Sequence, residues 1–293
     1  MARRAHADPR NVAGTLYVDD ACISCDTCRQ LAPATFGGAE DDTSFVCRQP
    51  EDDATRRRAL LALVSCPVAA IGADDLPGAA VRAAAAALPE EVAPGIHACG
   101  WAARDSYGAS AWLIVRAGGN VLVDSPRAAR PLLTRLRALG GVRFMFLTHR
   151  DDVADHELYA RELGAQRIVH EADAGAVPGA EIVLRGREPT RLADDLVAIP
   201  VPGHTRGSAA LLWRDEALFT GDHLWWTDEP PGLEMGRGVC WYSWREQVAS
   251  LERLRAHRFS HVLPGHGRRF RATSPAAMRE ALEAALARAR ATQ

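Results

Sequence analysis

The chain has 293 residues, enough for two domains or one large one with a well-filled core. Its 47% apolar and 25% charged residues, with a net charge of −2, fit a globular protein and leave no electrostatic footprint for nucleic acid. No apolar run approaches the ~18 residues needed to span a bilayer, and residues 1–8 lack the apolar stretch of a secretory signal.

After a short tail (1–12), the first informative segment is Cys22-Ile-Ser-Cys25-Asp-Thr-Cys28, followed at a distance by Cys66-Pro67. Three closely spaced thiolates can each reach a different iron of one cubane, and a remote cysteine can close the fourth corner. Thiolate is the soft ligand that such clusters select. Zinc sites more often use two C-x2-C pairs, so a zinc knot is the weaker reading. The segment resembles bacterial ferredoxins over residues 13–73, extending to Ala32-Pro33 and to Cys66-Pro67-Val68-Ala69-Ala70-Ile71. The resemblance implies one [4Fe–4S] cluster held by Cys22, Cys25, Cys28 and Cys66. A second cluster lacks a ligand, because Ala32 stands where two-cluster ferredoxins place another cysteine. Cysteines with metal-ligand spacing also favour a reducing, cytoplasmic setting. Cys47, in the strand-like run Ser44–Cys47, reads as a core residue, and Cys99 and Cys240 as structural.

Residues 74–94 shift to Ala, Pro and Glu and read as a helical spacer with loose ends. The domain boundary is expected here. Next, 110–115 and 121–124 form an expected β-hairpin around Gly118-Gly119-Asn120. A helix is predicted at 127–139, a strand at 142–147, a helix at 155–163 and a strand at 166–169. Further strands fall at 197–201, 209–213 and 217–220.

Five short segments follow such apolar runs: Thr148-His149-Arg150-Asp151, Asp155-His156, Pro202-Gly203-His204, Gly221-Asp222 and Pro264-Gly265-His266. Their order resembles the metallo-β-lactamase superfamily over residues 95–293. That implies an αββα four-layer sandwich, so the whole chain is read as α+β: a small ferredoxin-like domain followed by the sandwich. The family's first motif is H-x-H-x-D-H. Here His149 matches its first position, Asp151 stands in place of the second histidine, and the Asp-His pair comes two residues late, as Asp155-His156. A helix starting near Asp152 would put Asp151 and Asp155 one turn apart. The register of Asp151 against Asp152 stays open.

The resemblance implies His149, Asp151 and His204 on one metal, Asp155, His156 and His266 on a second, and Asp222 shared. Asp155 and Asp222 carry the catalytic roles. Zinc is the first expectation for the two divalent ions, with iron or manganese as alternatives. The leading functional reading is a metal-dependent hydrolase similar to hydroxyacylglutathione hydrolases, acting on a thioester or other ester-type small molecule. A non-haem diiron oxidoreductase, similar to flavodiiron proteins and fed electrons by the fused cluster, is the alternative, since a carboxylate at position 151 hardens the site. Besides the small-molecule substrate, an electron-transfer partner is a further expectation. A non-catalytic redox or metal-sensing module comes third. No membrane or nucleic-acid partner is expected, and the oligomeric state is left open. Trp225 and Trp226 are expected to wall the site and Trp244 to lie in the core; the alternative to an aromatic wall is that Trp241 and Trp244, at i, i+3, form the buried face of a helix.

Overall fold

The computed structural model describes residues 2–292 and is mixed α+β. Its contacts divide into two compact units. One runs to Arg143 and takes in Glu157–Gly164; the other comprises Phe144–His156 and the chain from Ala165 onward. The expected boundary at 74–94 does not coincide with this division. Those residues form the helix Gly78–Ala86, in keeping with the helical reading, and the strand Glu90–Ala93, both within the first unit. Alanine is small enough for close helix approach: Ala84 packs with Leu60, Leu61, Val64 and Leu88 in one buried cluster.

In the first unit, Leu16–Val18 pairs antiparallel with Ile71–Ala73, Val18 facing Ile71. That pairing brings the chain entering the C-x2-C-x2-C run beside the chain leaving Cys66. The helix Asp53–Ser65 delivers Cys66 at its C-terminal cap. Its start is fixed by a capping box in which Thr55 N donates to Asp52 Oδ1 at 2.7 Å. Cys47 is exposed rather than buried. Alternation along Ser44–Val46 turns Ser44 and Val46 inward, so Cys47 faces out. From the end of the spacer onward, Glu90–Ala93, Ile96–Ala98, Trp112–Ile114 and Val121–Val123 form an antiparallel meander, with Trp112 opposite Val123 in the predicted hairpin.

In the second unit, Phe144–Phe146, Gln166–His170 and Ile182–Leu184 run parallel. A six-stranded sheet has the order Thr190–Ala193, Leu196–Pro200, Ala209–Trp213, Ala217–Gly221, His261–Pro264, Phe270–Arg271. Its central strands are buried at every position, as expected where both faces of a sheet are covered. The helices Trp244–Leu254 and Pro275–Ala291 bury Val248, Leu251, Leu282 and Leu286 against Ile199, Leu212, Leu218 and Val262. Each such leucine contributes roughly 1.5–3 kcal/mol by burial. Ser243 and Ser274 cap the two helices, accepting from Glu246 N and Ala277 N. No described helix is long and apolar enough to cross a membrane.

Candidate metal centre

Four strand ends deliver the polar residues of the second unit. The strand Phe144–Phe146 leads to His149, and Leu196–Pro200 to the loop of His204. Ala217–Gly221 and His261–Pro264 lie side by side and parallel, with Gly221 opposite Pro264, so Asp222 and His266 leave the sheet at the same edge. A Gly265 N to Gly221 O hydrogen bond of 2.9 Å holds the two exits together.

The ends converge on two groups that share Asp222: His149, His204 and Asp222, and Asp152, Asp222 and His266, with the ligating atoms of each group within 4.8 Å of one another. Asp222 Oδ2 lies 3.6 Å from His149 Nε2, 3.7 Å from His204 Nε2 and 3.9 Å from His266 Nε2. Donors about 2.1 Å from a tetrahedral ion stand roughly 3.4 Å apart, so this spacing fits a metal. His149 Nε2 and Asp222 Oδ1 are buried without hydrogen-bond partners, which is costly unless a cation meets them. The residues therefore fit divalent ions. Two glycines make room: a Cβ at Gly265 would lie 2.8 Å from Asp222 Oδ1 and 2.9 Å from Asp152 Oδ2, and one at Gly221, whose φ is +50°, would lie 2.3 Å from Thr148 Oγ1.

The first motif is arranged differently from the expectation. The helix begins at His156, so residues 151–155 form turns and nothing sets Asp151 and Asp155 one helical turn apart. Asp152, buried at 1% exposure, is the carboxylate brought to Asp222 and His266. Asp155 is in neither group. His156 is buried, and its Nδ1 accepts from the Arg167 guanidinium at 3.2 Å. Arginine can only donate, so Nδ1 must carry the lone pair. A ligating histidine instead donates its second ring N–H to an acceptor. Asp151 stays at the rim, 42% exposed, where His204 Nε2 donates to its Oδ2 at 3.2 Å.

The electrostatics follow from these contacts. Burial lowers the pKa of His149 despite nearby Asp222. Burial also pulls on His204, but the hydrogen bond to Asp151 and the charge of Asp222 outweigh it and leave its pKa raised. The same hydrogen bond lowers Asp151. Thr148 Oγ1, 2.9 Å from His149 Nδ1, leaves Nε2 as the nitrogen facing the cluster.

Two supports escaped sequence reasoning. Asp173, 2% exposed, accepts from Thr205 Oγ1 (2.5 Å), Gly207 N (3.1 Å) and Arg150 N (3.1 Å), tying the His149 loop to the His204 loop. Residues 241–243 brace the second loop, Trp241 N and Tyr242 N donating to His204 O and Ser243 N to Gly203 O. The only signal for Asp173 was a lone acid after an apolar strand, which is uninformative by itself. The aromatic rim also differs from expectation. Trp226 stacks on Phe270 with centroids 4.4 Å apart, whereas Trp241 is 60% exposed and its ring lies 6.1 Å from that of His204. The helix starts at Trp244, so Trp241 precedes it and never joins its buried face.

In the first unit, Cys22, Cys25, Cys28 and Cys66 line one pocket with Val18, Ile23 and Ile71. Ser44 N points to Cys22 Sγ at 3.5 Å and Ala70 N to Cys66 Sγ at 3.3 Å. Burial pushes the Cys28 thiol up to about 12, and its fellow cysteines add to the shift. Four thiols crowded in this way need a cationic centre to become thiolates, and N–H groups aimed at sulfur suit a cluster.

Residues 18–73 match the profile of the 4Fe-4S single cluster domain of Ferredoxin I. The chain is 37% identical to a hydroxyacylglutathione hydrolase of Anaeromyxobacter dehalogenans (strain 2CP-C) over 130 residues, 42% of this chain and 48% of the relative. A hydroxyacylglutathione hydrolase of Fuscovulum blasticum is 40% identical over 115 residues, 36% of this chain and 44% of the relative. The chain thus spans about half the length of the curated relatives it matches. The crystal structure of DIM-1 metallo-beta-lactamase superposes with a TM-score of 0.53 at 17% identity, covering 70% of this chain and 97% of that one. The chain therefore carries a ferredoxin-type domain over residues 18–73 together with a metallo-β-lactamase fold, and it is a sequence relative of hydroxyacylglutathione hydrolases.

Proposed function

We propose that the protein is a metal-dependent hydrolase with a dinuclear site, acting on a thioester or other ester-type small molecule, and that the ferredoxin-type domain holds one [4Fe–4S] cluster. The observation that carries the reading is the pair of ligand groups sharing Asp222; the likeness to hydroxyacylglutathione hydrolases supports the ester class. His149, His204 and Asp222 would hold one ion, and Asp152, Asp222 and His266 the other. Such ions supply a Lewis acid for the scissile carbonyl and lower the pKa of water. The chain's own residues do the rest. The catalytic role expected of Asp155 passes to Asp152, which would orient the attacking water. Thr148 Oγ1 would accept from Nδ1–H of His149 and hold its ring in place. Exposed Trp241 and Tyr242, beside His204, offer an apolar surface for the acyl group.

One observation favours the diiron oxidoreductase as a second reading: Asp151 adds a third carboxylate within 3.9 Å of His149 Nε2, and oxygen ligands suit iron or manganese. Anaerobic purification with elemental analysis separates the two. The hydrolase reading expects about four irons and two zincs per chain, with His204→Ala losing thioester turnover while the visible absorbance of the cluster persists. About six irons, no zinc and oxygen consumption on reduction would transfer the conclusion to the diiron reading. Neither turnover nor oxygen consumption, with metals bound, would leave a sensing module.

A further inference from the structure

We propose that residues 100–109, outside the ferredoxin-type match, form part of the iron–sulfur site: they pack against Cys25 from behind its pocket-lining side chain, with Gly108 and Thr27 as positioning residues. The inference rests on the reading that this domain holds a cluster. The segment reaches the cysteine set at two separate points. Near Cys25, Thr27 Oγ1 donates to Gly108 O at 3.0 Å and lies 3.4 Å from Cys25 Sγ. Near Cys66, Ala102 N donates to Ser65 O at 3.1 Å, and a Cβ at Gly100 would lie 2.8 Å from Ser65 Oγ. Between these points the chain is held by its own turns, Tyr107 N to Arg104 O and Gly108 N to Ala103 O, both 2.9 Å. Ala103, Ser106 and Ala109 are each at most 5% exposed, so the segment is packed in place.

The approach at Cys25 is close enough to exclude any side chain. A Cβ at Gly108 would lie 2.5 Å from Cys25 Cβ and 2.8 Å from its Sγ, and the φ of Gly108 is +84°. Anything larger than glycine must displace either the loop or the sulfur that meets the cluster. Thr27 has one hydroxyl proton and two neighbours that can accept it. A cluster thiolate cannot donate and Thr27 Oγ1 donates to Gly108 O, so the hydroxyl anchors the loop while its oxygen stays 3.4 Å from Cys25 Sγ. Solvent exclusion and hydrogen bonding near cluster sulfurs set both potential and lability.

The test uses the full chain, reconstituted anaerobically, with iron per chain, visible absorbance, midpoint potential and the rate of bleaching in air as readouts. Gly141 has a φ of +75° with nothing within 4 Å of a built Cβ, so Gly141→Ala carries the same backbone strain without the contact. Gly108→Ala is expected to lose at least half of its iron with its far-ultraviolet circular dichroism retained, while Gly141→Ala holds its full complement. Thr27→Val is expected to bleach several-fold faster in air with a shifted potential, and Thr27→Ser to restore both. If Gly108→Ala fails to fold, the Thr27 pair decides. Equal losses in the two glycine variants, or Thr27→Val indistinguishable from the natural chain, would overturn the proposal. A natural chain that takes up no iron would instead refute the cluster reading on which it rests.

Discussion

Thr148 Oγ1 engages Nδ1 of His149 while Nε2 faces the ligand cluster, and with a metal on Nε2 the Nδ1–H would donate to this hydroxyl. Replacing it in Thr148→Val keeps the shape but strands the Nδ1–H in an apolar site, where an unpaired donor costs about 1–3 kcal/mol. Metal affinity measured by chelator competition should fall about 10- to 100-fold, with little change in fold; unchanged affinity would mean that Nδ1 finds another partner. The neighbouring acids make a sharper comparison. Asp152→Ala should remove one of the two divalent ions and nearly all turnover, whereas Asp155→Ala should retain both ions. Elemental analysis of the two variants reads this directly, and the opposite pattern would restore the Asp155 assignment. His156→Gln should likewise keep its metals, because the imidazole it removes is engaged by Arg167 rather than directed at Asp222.

At the level of elements, the candidate ligands on which sequence and structure agree are those following apolar strands. His204, Asp222 and His266 each sit in a glycine-bearing loop directly after a buried run, and the strand alone dictates where such a loop emerges. The first motif was harder to read because residues 151–155 are turns, where no period of 2 or 3.6 exists to say which acid points inward. Trp241 shows a related ambiguity: its i, i+3 spacing with Trp244 imitates a helix face, but the helix starts only at Trp244, after the Ser243 cap. In the Ala-rich stretch the helix was legible from composition, but composition reports helix propensity and not what the helix packs against, here Leu60, Leu61 and Val64.

The parallel strands Gln166–His170 and Ile182–Leu184 carry their own electrostatic tie. Glu181 accepts from Arg167 Nη2 at 2.8 Å, Arg167 Nε at 3.1 Å and Arg167 N at 2.7 Å. The guanidinium holds the Glu181 carboxyl at about 2, below its ordinary 4.5. A folded value below the unfolded one means that the stabilisation is complete above about pH 4.5 and disappears as pH falls towards 2. The stability gap between the natural chain and Glu181→Gln should therefore be widest near neutrality and close across that window. Denaturant melts at several pH values check it, and a gap that persists at pH 2 would show that the pair acts by shape rather than by charge.

Over the whole molecule, the two ligand sets are built in contrasting ways. The cysteines fall within 22–66, whereas the histidine and aspartate ligands span 149–266 and come from four strand ends. A group that binds only when distant segments are assembled adds its binding free energy to the native state alone, about 4 kcal/mol at a thousandfold excess over Kd. Stripping the divalent ions should therefore lower the unfolding transition by roughly 10 °C. Five of the seven tryptophans (213, 225, 226, 241 and 244) lie in the unit holding those ligands, so their fluorescence reports that transition, while visible absorbance follows the cluster separately. Mild chelation should shift the fluorescence melt and leave the absorbance at its starting value, and re-adding zinc should reverse the shift. A stripped protein that melts at the temperature of the loaded one would mean that Asp222 and the four residues around it do not bind metal with useful affinity, and with that the hydrolase reading would fail.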